Sequence, residues 1–274
     1  MVVDPATSDL SRPAPVASII LATFNERRNL PPLLERLWAV PLPAVEVLVI
    51  DDGSTDGTRE FLEEAARSEP RLRLIWHEGK QTTLKAQCQG IAQARGRWVV
   101  VMDADLQHPP EALPPMIRAL EDGAGLVVGS RYAPGGTAGP RTGVRLAISR
   151  GAEWTAKVFL SEARSVSDPV SGFFAFRHDV FRPLPAEWRG YKLLLFLLVM
   201  NRGRRVVEVG YRFEPRGSGT SKVTQNSRFI RFFLTEVVLA RRFERILRRP
   251  SRDAGDPDSA SKGSGGRPVR QQPL

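Results

Sequence analysis

The first half of the chain repeats one pattern, and that pattern restricts the fold more than anything else in it. Short β-rich runs at Ala17–Ala22, Val45–Ile50, Arg71–Trp76, Arg97–Met102 and Leu126–Gly129 alternate with helical patterns near Leu30–Ala39, Gly57–Arg67, Leu84–Ala94 and Pro110–Leu120. Runs such as VEVLVI and RWVVVM are apolar on both faces. Strands of that kind belong to a parallel sheet covered on both sides, because a strand with one wet face alternates apolar and polar residues. Strand–helix alternation then implies right-handed crossovers and a sheet of the nucleotide-binding type.

The second half is less regular. It predicts a long helix over Val144–Leu160, strands at Phe173–Phe176 and Val206–Val209, and a buried helix at Tyr191–Met200. A Gly/Ser loop at Arg216–Ser221 precedes a long helix over Gln225–Arg248. The 274 residues, 42% of them hydrophobic, suffice for one large α/β domain with a buried core. Its expected limits are 16–224, after a flexible, Pro-rich N-terminus at 1–15. An amphipathic helix at 225–249 follows. The segment 250–274 is nearly free of large apolar residues and is expected to be disordered.

The single cysteine, Cys88, provides no internal disulfide and fits a reducing compartment. An ordinary thiol is expected there. The first residues lack the apolar core of a signal peptide. The longest apolar run, Leu193–Met200, is far short of the about 20 residues that span a bilayer. A cytoplasmic protein, soluble or peripheral on the inner face of the membrane, is the expectation.

The net charge of +10 is concentrated in one region: 202–249 holds 13 Lys/Arg and 4 Asp/Glu, or +9. Such a basic segment points to phosphate-bearing partners, whether nucleic acid, anionic lipid or a phosphorylated substrate. No nucleic-acid motif or aromatic stacking platform accompanies it, so nucleic acid is set aside.

Ligands of an open parallel sheet sit at the carboxyl ends of its strands. Three polar clusters fall there: Thr23-Phe24-Asn25-Glu26, Asp51-Asp52-Gly53-Ser54 and Asp103-Ala104-Asp105-Leu106-Gln107-His108. Each alone could be a turn or a helix cap. Three on one sheet edge is a stronger signal. Two carboxylates two residues apart can share a hard cation such as Mg²⁺ or Mn²⁺, which favours few carboxylates plus phosphate oxygens. That cation would offset charge on a leaving diphosphate. Asp52 is placed to accept hydrogen bonds from a base or ribose. The phosphate loop of P-loop NTPases and the glycine fingerprint of dinucleotide folds are both missing.

Taken together, ASIILATFNERRNL, VLVIDDGSTDGT, VVVMDADLQHPPE, VVGSRY and DPVSGFFAFR resemble dolichyl-phosphate mannose synthases and their bacterial polyprenyl-phosphate mannosyltransferase relatives. These are inverting family-2 glycosyltransferases of the GT-A fold. The resemblance covers about residues 16–248. It implies that Asp103, Asp105 and Gln107 hold the metal and donor phosphates, and that Thr23, Asn25, Glu26 and Asp52 line the nucleotide pocket. By the same resemblance Arg131 contacts the sugar phosphate, and Arg145 and Ser149 meet the acceptor phosphate. Arg216, Ser221 and Lys222 close over both phosphates, and Lys192 contacts the donor. The implied reaction moves mannose from GDP-mannose to a polyprenyl phosphate with inversion.

Asp168 would be a base in an enzyme with a hydroxyl acceptor. An acceptor phosphate is already ionised, so positioning is its role in the first reading. Two departures stand out. Thr82 or Thr83 replaces the glycine usual before the third helix, and Phe196 replaces a frequent glutamate. The alternatives are a family-2 enzyme with another nucleotide sugar and a hydroxyl acceptor, or a non-catalytic relative that only binds nucleotide sugar. The segment RFIRFFLTEVVLARRFERILRR has Phe229, Ile230, Phe233, Leu234, Val237, Val238, Ala240 and Leu247 among arginines, which fits an interfacial helix on a membrane surface or against a membrane-protein partner.

Overall fold

The computed structural model describes residues 2–3, 14–139, 143–185, 188, 190–218 and 228–247. Strands β1 (Val2–Val3), β2 (Ala17–Thr23), β3 (Val45–Asp51), β4 (Leu72–Trp76), β5 (Trp98–Asp103), β6 (Leu126–Ser130), β7 (Phe174–Arg177) and β8 (Val206–Gly210) form one sheet in the order β1-β4-β3-β2-β5-β7-β6-β8. The run β4-β3-β2-β5 is parallel, as the uninterrupted apolar patterns predicted. β6 and β8 are also parallel. Between the two sets lies β7, antiparallel to both β5 and β6. At the far edge β1 pairs antiparallel with β4, a strand the sequence reading did not place.

Successive residues of each strand enter different cores. Ile20, Leu48, Ile50, Val99, Val101, Val128, Phe174 and Phe176 pack on one face of the sheet, and Ile19, Leu21, Val47, Val49, Val100, Met102, Val127 and Ala175 on the other. The helices that cover them are α1 (Leu30–Ala39), α2 (Thr58–Ser68), α3 (Thr83–Gln93), α4 (Leu113–Glu121), α5 (Gly143–Phe159), α6 (Leu193–Met200) and α7 (Arg228–Leu247). α1 and α4 each begin on a proline pair, where missing N–H groups cost nothing and the fixed φ suits a helix. The glutamate in VEVLVI is accommodated by a buried network. Glu46 accepts from the Ser18 hydroxyl at 2.5 Å, the Arg95 backbone N–H at 2.7 Å and the Arg73 guanidinium at 2.7 Å.

α6 is shorter than predicted, starting at Leu193, and every residue from Leu193 to Val199 is buried. α7 lies against it through Phe233, Val237, Ala240 and Phe243. Three of the eight apolar residues expected to face lipid, Phe233, Val237 and Ala240, therefore belong to the core. Leu234, Val238, Ile246 and Leu247 remain exposed, and the side chains of Phe229 and Ile230 lie outside the described residues. Among the described residues no helix is long and apolar enough to cross a membrane.

Candidate active site

The parallel strands end together. Thr23 pairs with Asp51, and Ala22 with Asp103, so the three polar clusters share one edge of the sheet. The two aspartates at the end of β3 then diverge. Asp51 is buried. One of its oxygens accepts from the backbone N–H of Gly53 and Ser54 at 3.1 and 2.9 Å, and the other from the hydroxyls of Ser54 and Thr23 at 2.5 and 3.1 Å. It builds the turn and ties it to β2. Thr23, expected in the nucleotide pocket, is itself buried and turned to this carboxylate.

Asp52 instead meets His77 Nδ1 at 2.6 Å, and the other ring nitrogen of His77 meets Gln89 on α3. Burial raises the pKa of Asp52, and the His77 contact opposes that rise. Neither His77 nor Gln89 was among the expected site residues. Nearby, Asn25 adopts φ 57° and accepts from the Thr55 N–H at 2.9 Å. Thr82 caps α3 by accepting from the Lys85 N–H at 3.3 Å, so a helix cap occupies the place where a glycine was expected.

After β5 the chain turns sharply at Leu106, whose φ of 69° is uncommon for a non-glycine residue and typical of functional turns. Asp105 is buried and receives Arg216 at 2.6 Å and the Gln107 N–H at 3.1 Å. Asp103 is 48% exposed through its side chain, and its carboxylate accepts no hydrogen bond among the described residues. Burial raises the pKa of Asp105, and the neighbouring Asp103 raises it further. The loop is held from behind by His108, which is buried, stacks on Phe173 at 5.1 Å and accepts from the Asp103 N–H at 3.0 Å. Burial lowers its pKa to about 4, so the ring is neutral with its proton on Nε2. Gln107 bonds to the backbone around Glu214.

Three cations face this turn. Arg216 bridges Asp105 and, at 3.7 Å, Glu26, which also accepts from Asn29 at 2.6 Å. Lys192 donates to the Val170 carbonyl at 2.6 Å and lies in the field of Asp103. Arg131 forks onto Asp168, with Nε to Oδ2 at 2.6 Å and Nη2 to Oδ1 at 2.7 Å. Asp168 is 0% exposed and spends both oxygens on this pair. Burial works against the charge of Arg131, and Asp168 more than offsets it, so the guanidinium pKa rises.

Ser149, on α5, donates to Glu153 at 3.1 Å, as does the Tyr132 hydroxyl at 2.8 Å. Arg145 belongs to the first turns of α5, with its side chain outside the described residues. Ser221 and Lys222 lie outside the described residues altogether. Phe196 does not face the cleft. It is fully buried between Trp188 and Phe243, with ring centroids at 5.7 and 6.2 Å. The Cys88 thiol, pushed up to about 12 by burial, is inert at neutral pH.

A mostly parallel sheet thus presents two carboxylates and the cations Lys192, Arg216 and Arg131 at its carboxyl edge. The family described as glycosyl transferase family 2 matches residues 18–184, and the chain belongs to it. Its curated relatives narrow the branch. The dolichol-phosphate mannosyltransferase of Pyrococcus furiosus is 38% identical over 207 residues, 75% of this chain and 58% of that protein's length. The polyprenol monophosphomannose synthase of Mycolicibacterium smegmatis is 34% identical over 252 residues, covering 88% of this chain and 93% of that one. The fold matches a solved glucosyl-3-phosphoglycerate synthase from Mycobacterium tuberculosis, bound to Mn²⁺, uridine diphosphate and glucosyl-3-phosphoglycerate. There the TM-score is 0.62 with 21% identity, covering 83% of this chain and 80% of the other.

Proposed function

We propose that this chain transfers mannose from GDP-mannose to the phosphate of a polyprenyl or dolichyl lipid, with inversion and with a divalent cation. One observation carries the reading: the turn holding Asp103 and Asp105 is faced by Lys192, Arg216 and the Arg131–Asp168 pair. The relatives' names supply the sugar and the lipid phosphate.

Asp103 and Asp105 would hold the cation. The donor set fits a hard ion, since both groups are carboxylates and the Asp103 side chain is half exposed, so a cation there can share its coordination with phosphate oxygens. Mg²⁺ or Mn²⁺ would take its remaining ligands from phosphate and water, and it would neutralise charge on the leaving diphosphate. Arg216, which pairs with Asp105, would place its guanidinium beside the donor phosphates held by such a cation. Lys192 presents a compact charge to the same group. Arg131, held by Asp168, presents a rigid fork. Asp52, oriented by His77, offers an acceptor to the nucleoside.

The acceptor phosphate oxygen attacks the anomeric carbon. Its new C–O bond forms as the bond to the diphosphate breaks, and the electron pair leaves with GDP. No proton need be removed, so no general base is required.

We assign the acceptor to a bilayer reached by α5 and α7, which pack side by side. Ile148, Trp154, Val158 and Phe159 on α5 and Leu234 and Val238 on α7 are exposed apolar residues among arginines, a composition suited to an interface.

The test is incorporation of radiolabel from GDP-mannose, UDP-glucose or UDP-N-acetylglucosamine into extracted polyprenyl phosphate. Label from GDP-mannose that vanishes with EDTA and in Asp105→Ala, by a factor on the order of 10² or more, is expected. Label reaching only a hydroxyl acceptor, or tight nucleotide binding without turnover, would refute it.

A further inference from the structure

α7 carries an acidic residue where a helix packed on a core should carry an apolar one. Glu236 is 1% exposed, between the core residues Phe233, Val237 and Ala240. Its Oε1 accepts from the backbone N–H groups of Tyr191 and Lys192, the latter at 2.8 Å. Its Oε2 is buried and meets no hydrogen-bond donor among the described residues. A buried carboxylate with one idle oxygen is costly, so a sequence optimised only for stability would place an apolar residue here.

The segment that Glu236 holds is a junction. Gly190 precedes it, and a Cβ there would stand 2.1 Å from Glu236 Oε1, so the approach requires glycine. The Gly190 carbonyl accepts from the Leu84 N–H at the start of α3, beside the nucleotide loop, at 3.0 Å. Lys192 then sends its ammonium back to the Val170 carbonyl and towards Asp103. One carboxylate on the helix assigned to the membrane surface thus sets the backbone from which the donor-facing lysine projects.

We propose that Glu236 is a positioning residue that couples the seating of α7 to the placement of Lys192 in the donor site. The inference rests on the function proposed above. It extends that function by making the candidate membrane helix part of the catalytic geometry rather than an anchor alone. A displacement of Lys192 by about 1 Å would cost up to about a hundredfold in rate without removing any group that touches substrate.

The experiment compares the whole chain with Glu236→Ala, Glu236→Gln, Lys192→Met and the Glu236→Ala/Lys192→Met double variant. It reads mannosyl transfer, Mn²⁺-dependent GDP affinity, and amide hydrogen exchange over 83–86 and 190–196. Glu236→Ala should lower kcat by about tenfold to a hundredfold, with the KM for lipid phosphate little changed. Glu236→Gln keeps a carbonyl oxygen for both N–H groups and should restore most of the rate. In the Lys192→Met background, Glu236→Ala should add less than about twofold, because both changes act through one group.

Multiplicative losses, a glutamine variant as impaired as the alanine one, or unchanged exchange at Tyr191 and Lys192 in Glu236→Ala would each overturn the proposal. If Glu236→Ala does not fold, Glu236→Asp, one methylene shorter, takes its place in the same cycle. A wild-type chain that moves no mannose would sink the function proposed above. Exchange and GDP affinity would then still decide the role of Glu236.

Discussion

Asp168 distinguishes the two catalytic readings, and the structure gives a magnitude for the test. Its carboxylate is fully buried, and both oxygens fork onto Arg131, whose side chain is only 10% exposed. Asp168→Ala leaves a guanidinium buried without its partner, a loss of about 3–5 kcal/mol. For a domain of this size each kcal/mol moves Tm by about 2–4 °C, so the melting temperature should fall by roughly 10 °C. Asp168→Asn keeps one acceptor oxygen but turns an amide N–H₂ towards a donor, and about half of that loss is expected. Differential scanning calorimetry reads both values.

Activity provides the second arm. If Asp168 only holds Arg131, an Asp168→Asn/Arg131→Gln cycle should show a coupling of about 2 kcal/mol in both stability and kcat, because the pair acts as one unit. Asp168→Asn should then retain measurable turnover. A folded Asp168→Asn variant with unchanged Tm and no turnover at any pH would refute this reasoning. It would establish Asp168 as a base and require a hydroxyl acceptor.

Three further outcomes follow from the geometry. Placing a carboxylate there by Phe196→Glu buries an unpaired charge between Trp188 and Phe243, and should cost about 3–5 kcal/mol in urea unfolding without improving sugar selectivity; a stable variant with altered donor preference would contradict the placement of Phe196. Glu236 has its pKa raised to about 7, chiefly by burial, with its N–H donors and Lys192 opposing the rise; Tyr191 and Lys192 are the titratable groups that face it. The folded chain therefore holds a proton that the unfolded chain releases near its ordinary glutamate pKa. This contribution is full below about pH 4.5 and is lost as pH rises through about 7, by up to about 3 kcal/mol. Urea midpoints across that range should slope down in the wild type and be flatter in Glu236→Gln, and parallel profiles would exclude the effect. Finally, Leu234→Asp with Val238→Asp should weaken flotation with anionic vesicles by about tenfold while leaving GDP affinity intact; undiminished flotation would move the lipid contact elsewhere.

The parallel strands were legible because a sheet covered on both faces needs apolar residues on both faces, and VEVLVI and RWVVVM have them. The direction of β7 was not. FFAF reads alike in either sense, and its antiparallel course is set by the path from α5 back across the sheet. The acidic loops were legible as a group because strand ends bring them to one edge. Within DDGS, though, the sequence offers no way to tell Asp51 from Asp52. Their roles separate only once Asp51 faces the turn's own N–H groups and Asp52 faces His77.

The site residues missed by sequence lie on other elements and form no motif. His77 follows β4, Gln89 is on α3, and they meet because both elements pack on β3, the strand that leads into Asp52. Glu236 did carry a signal, since at helical spacing it falls within the stripe of Phe233, Val237 and Ala240 that faces the core. An acid in such a stripe needs a buried donor, and the sequence cannot name it. The donor is the backbone ahead of α6, at the one position where glycine permits the approach. Buried polar atoms of this kind are costly. Where they persist beside a catalytic edge, they mark the residues through which the scaffold holds its reacting groups in place.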